Sequence, residues 1–418
     1  MPKKDNTYSS SWNKIVQFVT GPFQYSSIRK TAVFFLINVI ISTGFILWFG
    51  KEALGTTISV VLGFFLSKVG LSLYDTVKMI LEDKKKCRRD NDFLAKIYKN
   101  GHYLHHLNSE NDKGFLYEEL IPHNNNSLII TIDHPDKMME LDPLIQTYYA
   151  EIFGAHKASY VENNITLKLS DVSYSNNIYK ISFSRSTYYH HLVTNRAIDF
   201  PIKNGLTLRG LFEYGPTLKP LKESKMSNHL GMIAFIELSD GKVIFPKRQT
   251  NSTTSKNLIT GSIASRVVLD GPEDKITGLE DIEKKLIKTI DKRLGIKLND
   301  DKSSHYQIVF LGLGRDVYEG GKPHFFYYIK INDLNSDDFI KNYRQYQKDM
   351  LKKQTDMDMD KMVYLCEINS IELKKNYSVK LKCCQASKKI LKHIITVKPE
   401  MSFLGAYKHY RDYRKTIE

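Results

Sequence analysis

The sequence predicts a membrane protein in two parts, an N-terminal hairpin of two transmembrane helices and a larger cytoplasmic α/β region. Three observations carry this. Two long apolar segments stand almost back to back near the start, and basic residues flank them on both outer sides. Beyond them, short apolar runs punctuated by turn residues surround one amphipathic helical pattern.

The first segment, 31–50 (TAVFFLINVIISTGFILWFG), is uncharged, and the second, 53–74 (ALGTTISVVLGFFLSKVGLSLY), follows after only Lys51 and Glu52. Each reaches the roughly 20 apolar residues that a helix needs to cross the hydrocarbon core of a bilayer. A cleaved leader does not fit, because the apolar run begins only at residue 31. Arg29 and Lys30 precede the first span, and Lys84, Lys85, Lys86, Arg88 and Arg89 follow the second. Basic residues are retained on the cytoplasmic side, so residues 1–30 form a cytoplasmic segment, both termini face the cytoplasm and any ligand is intracellular. Gly55, Ser59, Gly63 and Ser67 recur every fourth residue, a stripe of small side chains that lets membrane helices approach closely. The stripe packs either on the first span or on another copy of the chain. Lys68 lies toward the cytoplasmic end of its span, where snorkelling to the interface is the first reading and lining a pore the second.

The chain has 418 residues and a formal charge of +15, from 61 Lys plus Arg against 46 Asp plus Glu. The excess is spread along the chain, and no stretch is basic and aromatic enough to mark a groove for a nucleic acid polymer; anionic lipid and a phosphate-bearing ligand both suit it. The cysteines, Cys87, Cys366, Cys383 and Cys384, match no zinc or redox spacing, and the adjacent pair reads as strand residues on opposite faces. His102, His105, His106, His190 and His191 have no carboxylate or cysteine at ligand-like spacing and read as surface or core histidines. Neither a metal nor a cofactor is expected.

Residues 75–177 read as a charged connector followed by a small α/β region, with strands at SLIITI (127–132) and ITLKLS (165–170). Residues 178–373 are better patterned. HLGMIAFIELSDGKVIFPKR is strand, turn, strand, with Asp240 and Gly241 supplying the hairpin turn. Leu279, Ile282, Leu286, Ile290 and Leu294 lie three or four apart and form the buried stripe of a helix that Gly295 ends with φ above zero. YQIVFLGLGRD and HFFYYIKIN add two strands joined at Gly320 and Gly321. Residues 374–418 form a C-terminal segment.

The helix and its flanks, GLEDIEKKLIKTIDKRLGI, have the shape of a Nudix box, and the order strands, helix, strands with a DGKV hairpin resembles the Nudix fold, an αβα arrangement, over about half the chain. Counting back from Gly295, Glu280, Ile290, Gly295 and Ile296 match the box. Lys288 replaces its Arg, Thr289 the following Glu, and Asp274 the leading Gly; Lys292 and Arg293 stand where the family has paired metal-binding glutamates. Divalent metals of this chemistry are held by carboxylates, so the resemblance implies a domain that binds phosphate without cleaving it. The degenerate box also leaves a shifted carboxylate set, Glu280, Asp281, Glu283 and Asp291.

Together, the hairpin and the degenerate Nudix domain resemble the two-transmembrane Nudix effectors of CBASS, bacterial anti-phage systems built around CD-NTase nucleotidyltransferases. The resemblance implies a sensor that is no enzyme and sits in the bacterial inner membrane. It captures a cyclic oligonucleotide made by a cognate CD-NTase, forms homo-oligomers and disrupts the membrane lipids, so that the infected cell dies. Such a ligand needs cationic donors and flat platforms. The candidates are Lys247, Arg248, Lys292, Arg293, Arg315, Tyr318, Phe326 and Tyr328, with Arg248 and Arg315 foremost because a guanidinium suits bidentate contact with phosphate. Other classes are a membrane-anchored Nudix hydrolase acting on nucleoside diphosphate derivatives and a structural membrane protein with a vestigial fold. Gly312 and Gly314 precede another strand, so they are no dinucleotide fingerprint.

Overall fold

The computed structural model describes residues 86–417 apart from 89, 99–102, 108–112, 124–128, 135, 157–161, 249–257, 299–304, 353–361 and 387–393. The two expected spans and the stripe of Gly55, Ser59, Gly63 and Ser67 lie outside the described residues. Among the described residues no helix is long and apolar enough to cross a membrane.

The chain forms α1 (Asn91–Ile97), β1 (Leu104–His105), β2 (Phe115–Ile121) and β3 (Ile129–Asp133), then the short helices α2 (Pro143–Thr147) and α3 (Tyr149–Gly154). The hairpin β4 (Ile165–Ser175) and β5 (Ile178–Thr187) precedes α4 (Tyr188–Val193) and α5 (Leu208–Phe212). β6 (Gly231–Glu237), β7 (Val243–Lys247) and β8 (Ile263–Arg266) lead into α6 (Leu279–Leu294), and β9 (Tyr306–Asp316), β10 (Lys322–Ile331) and α7 (Ser336–Lys352) come next. β11 (Met362–Leu373), β12 (Val379–Ala386), β13 (Ile394–Val397) and α8 (Met401–Ile417) follow.

The main sheet runs β1-β2-β9-β10-β6-β7-β11-β12-β13, with β8 also on β6. β10 is parallel to β6 and antiparallel to β9. β6 meets β7 at Glu237 and Val243 and gives Gly231 through Ala234 to β8, so β7 and β8 part company along the same edge. The result is a mixed α/β domain whose sheet curls into a half-barrel. A smaller sheet, β3-β5-β4, joins the large one where the Leu167 carbonyl accepts from Leu230 N–H at 2.7 Å and Leu167 N–H donates to Val267 at 3.1 Å.

Local chemistry explains the turns. Gly241, Gly320 and Gly321 take φ of 77°, 60° and 84°, where the sequence places its hairpins. Asn176 and Asn177, at φ 51° and 63°, make the turn between β4 and β5. That hairpin bridges the boundary expected between residues 177 and 178. The segment from 374 onward supplies β12, β13 and α8 to the same unit, Lys85–Glu418. Cys366 and Cys383 are buried, reduced neighbours on β11 and β12.

Strand alternation divides the core between the two sheet faces. On one face, Ile282, Leu286, Ile290 and Leu294 of α6 pack with Met232, Ala234, Phe325, Tyr327 and Ile329. Each of the large apolar side chains among these contributes about 1.5–3 kcal/mol of burial free energy before its lost entropy is counted. On the other face, Phe403, Leu404, Tyr407 and Tyr410 of α8 pack with Ile233, Phe235, Phe245, Phe326 and Tyr328. Glu280 and Asp281 sit in the first turn of α6 and Lys292 and Arg293 in the last, matching the helix dipole. Gly295 ends the helix at φ 67°, and an added Cβ would come within 2.6 Å of the Tyr346 ring, so glycine is required there twice over.

Candidate functional site

Arg248 follows β7 and Arg293 is the penultimate residue of α6, yet both guanidinium groups converge on one atom. Arg248 Nη2 and Arg293 Nη1 each donate to the Ala264 carbonyl of β8 at 2.7 Å. The convergence follows from the curl of the sheet, which leaves the edge of β8 open to the end of β7 and to the last turn of α6. Arg248 is buried, its Nε has no hydrogen-bond partner, and no carboxylate pairs with it among the described residues. Two cations therefore meet at one neutral acceptor. Arg248 keeps a charge-assisted donor for an anion that reaches this edge.

The other candidates stand elsewhere. Lys247 alternates with Arg248 and shares the side of Phe245, the α8 side of the sheet. Lys292 is exposed on α6, and its carbonyl accepts from Tyr346 Oη at 2.9 Å. Arg315 lies on β9, separated from β8 by β10 and β6. Its Nε donates to Glu118 and its Nη1 to the Lys219 carbonyl at 2.8 Å, which engages its fork within the protein. Tyr318 is buried with its hydroxyl on Asn91. Phe326 stacks on His409 with centroids 4.9 Å apart, and Tyr328 packs on Tyr410 at 5.4 Å, both beneath α8.

The carboxylates around α6 are also engaged. Asp281 accepts from Thr277 N–H and hydroxyl at 2.9 and 2.8 Å, and the backbone N–H above all holds its carboxyl down at about 2. Lys285 pairs with Asp274 at 2.6 Å and Lys288 with Asp270 at 3.7 Å. Among the described residues no group of three or more His, Cys, Asp or Glu is arranged to hold a metal ion.

Sequence reading missed a second polar cluster, reached along β8 at Arg266, two residues from Ala264. His191 of α4 and His229, just before β6, stack with ring centroids 3.7 Å and planes 16° apart. The Arg266 guanidinium lies 4.3 Å over the Tyr188 ring. His324 rests against Gly231, where a Cβ would come within 2.3 Å of its Nδ1, so only glycine leaves room for the imidazole. Nδ1 of His191, His229 and His324 is buried without a hydrogen-bond partner among the described residues. Arg196 and Lys322 both reach Glu319, at 3.3 and 3.2 Å. Burial pushes His191 and His229 well below the usual histidine range and His324 down to about 3, so the rings are neutral at pH 7. The cluster draws on α4, β6, β8 and β10, and only the His190 and His191 pair stood out in the sequence.

The chemistry offered is recognition of negative charge by fixed arginines at one sheet edge, beside an enclosed patch of neutral imidazoles. No protein-family model matches the chain, and no curated protein matches it.

Proposed function

We propose that the protein is a membrane effector of a CBASS anti-phage system, a sensor whose Nudix-like domain binds a cyclic oligonucleotide without hydrolysing it. The observation that carries this reading is the convergence of Arg248 and Arg293 on the Ala264 carbonyl, at the end of the helix where a Nudix enzyme holds metal with glutamates. A bridging phosphodiester accepts from both guanidinium groups, whose forks the shared carbonyl already aims at this edge. Ligand binding then joins cytoplasmic domains and raises the local concentration of the N-terminal hairpins. The stripe of Gly55, Ser59, Gly63 and Ser67 meets between copies, and the assembled spans break the inner membrane.

The test is thermal stability of the full chain in detergent against a panel of cyclic di- and trinucleotides, with each ligand recovered and weighed by mass spectrometry. A ligand that binds only the folded state raises the melting temperature. Stabilisation with intact ligand, lost in Arg248→Ala/Arg293→Ala, supports the sensor. Recovery of cleaved ligand would make the protein a membrane-anchored hydrolase, and no response across the panel would leave a scaffold. Gly63→Leu should abolish toxicity while ligand binding persists; undiminished toxicity would remove the stripe from the mechanism.

A further inference from the structure

The described domain begins at Lys86, and Asp199 gathers the structure around that point. Asp199 N–H donates to the Lys86 carbonyl at 2.9 Å, and its carboxylate accepts from Arg88 N–H at 2.7 Å and from Arg209 of α5 at 2.6 and 2.9 Å. Cys87, Ile198, Ile202 and Leu208 belong to one apolar cluster, so residues 86–88, the loop before α5 and α5 itself are packed together.

The outer surface of this cluster is apolar and basic. Ile202 N–H donates to the Leu206 carbonyl at 2.8 Å and closes a tight loop, with Asn204 and Gly205 at φ of 61° and 74°. The loop tucks Ile202 inward and leaves Leu206 50% exposed. In and after α5, Leu208 and Arg209 are buried, whereas Leu211 and Tyr214, three residues apart, stand 38% and 60% exposed. Three exposed large apolar side chains thus fall within residues 206–214. Lys203, Lys219 and Arg88 are exposed on the same stretches of chain. The one carboxylate of residues 200–222, Glu213, is buried and accepts from Ser224 Oγ at 2.6 Å and Lys219 N–H at 3.0 Å.

Single exposed leucines are ordinary on a protein surface. Apolar side chains grouped with lysines and without an exposed carboxylate have the composition that enters the boundary between lipid headgroups and acyl chains. The sequence supplies the partner. Only residues 75–85 separate Lys86 from the second apolar segment, a tether of at most about 40 Å even when fully extended. We infer that the surface of Leu206, Leu211 and Tyr214, with Lys203 and Lys219, docks on the anionic lipid surface of the membrane. The inference rests on the spanning reading of residues 31–50 and 53–74, and it goes further by assigning the face of the domain that meets lipid. The apolar side chains enter the headgroup boundary while the lysine stems snorkel toward phosphate.

The experiment uses the full chain in vesicles of phosphatidylcholine and phosphatidylglycerol, with bimane attached at Leu206→Cys and the wild-type chain labelled in parallel as background. Ile394→Cys is the comparison site, exposed on β13 at the far edge of the main sheet. Brominated acyl chains quench a fluorophore that touches them. The expected result is loss of fluorescence at position 206 and not at 394 in brominated vesicles, with recovery when Lys203→Glu/Lys219→Glu is added. Absence of quenching at 206, equal quenching at both positions, or quenching indifferent to the charge reversal overturns the inference. Shielding of position 206 from aqueous iodide without quenching by lipid would place a second copy of the chain there and overturns it too. Alkaline carbonate extraction of the same vesicles reads the spans separately. A chain that stays with the vesicles but is not quenched at 206 loses only the docking face, whereas a chain that is extracted loses the spans and the inference with them.

Discussion

Arginine is buried on opposite terms in two regions of this domain. Arg209 of α5 grips Asp199 with Nε at 2.6 Å and Nη2 at 2.9 Å, and gives its other donors to Tyr98 Oη and the Val317 and Tyr318 carbonyls. Arg248 is also enclosed, yet shares one carbonyl with Arg293 and meets no carboxylate among the described residues. The first charge is matched within the fold and belongs to its architecture. The second is held in position and left unmatched, which is the condition in which a ligand gains most. The set of acceptors, more than the depth of burial, separates a structural arginine from a receptive one.

The comparison is broken most directly by removing Arg209. Arg209→Met leaves the half-buried Asp199 without its countercharge, and the Tyr98 hydroxyl and the Val317 and Tyr318 carbonyls without their donor, and should cost about 3–5 kcal/mol in chemical denaturation of the full chain. A loss under 1 kcal/mol would mean that the matched region is no more structural than the other.

The pH dependence of stability comes next. The depressed histidines His191, His229 and His324 contribute stability that is present above about pH 6.5 and is lost as pH falls toward their folded values, about 3 for His324. Asp316 runs the other way: burial first, then Glu319, raises it from 3.8 to about 7, so its contribution is full at low pH and is lost as pH rises through 7. His409 of α8, buried and likewise held well below the usual histidine range, adds to the histidine side. Stability should therefore climb as pH rises from 5 to 6 and level off near neutrality, as thermal melts across pH would show. Phosphate that reaches this end of the sheet should flatten the acid limb; an unaltered limb would confine any anion to the edge of β8.

Arg315 sharpens the comparison on the structural side. Arg315→Met should cost about 1.5–3 kcal/mol, because Glu118 is partly exposed and regains water. If the variant kept its stability and lost nucleotide affinity instead, Arg315 would change sides. Arg248→Met should be the mildest, about 1 kcal/mol or less, with the difference in melting temperature from wild type widening when phosphate is added. A difference indifferent to phosphate would remove the ligand from the explanation.

Legibility in the sequence followed the reach of the interactions. α6 was visible because Ile282, Leu286, Ile290 and Leu294 contrast sharply with the charged residues between them, and the Asp240–Gly241 and Gly320–Gly321 turns because glycine marks positive φ locally. α8 has a comparable stripe in Phe403, Tyr407, Tyr410 and Tyr413, but the tyrosines, Arg and Lys blur the apolar contrast that signals a buried face. The Asn176–Asn177 turn is marked locally too, by two residues that tolerate positive φ. At the candidate site, residue type puts Arg248 and Arg315 foremost and the register of the box adds Arg293, whereas the meeting of Arg248 with Arg293 at Ala264 depends on how β7 and β8 diverge. Phe326 and Tyr328 carried the right chemistry for stacking on a base, but a helix 70 residues downstream covers that side of β10.

That cover sets a clock on synthesis. β6 must wait for β10, nearly a hundred residues later, to gain its parallel neighbour, and the aromatic side of both strands stays bare until residues 401–417 have left the ribosome. The nascent chain thus carries its apolar N-terminal segments long before this domain has closed. A chain cut short within its last fifty codons would leave the ribosome with that side still bare, a substrate for chaperones and proteases.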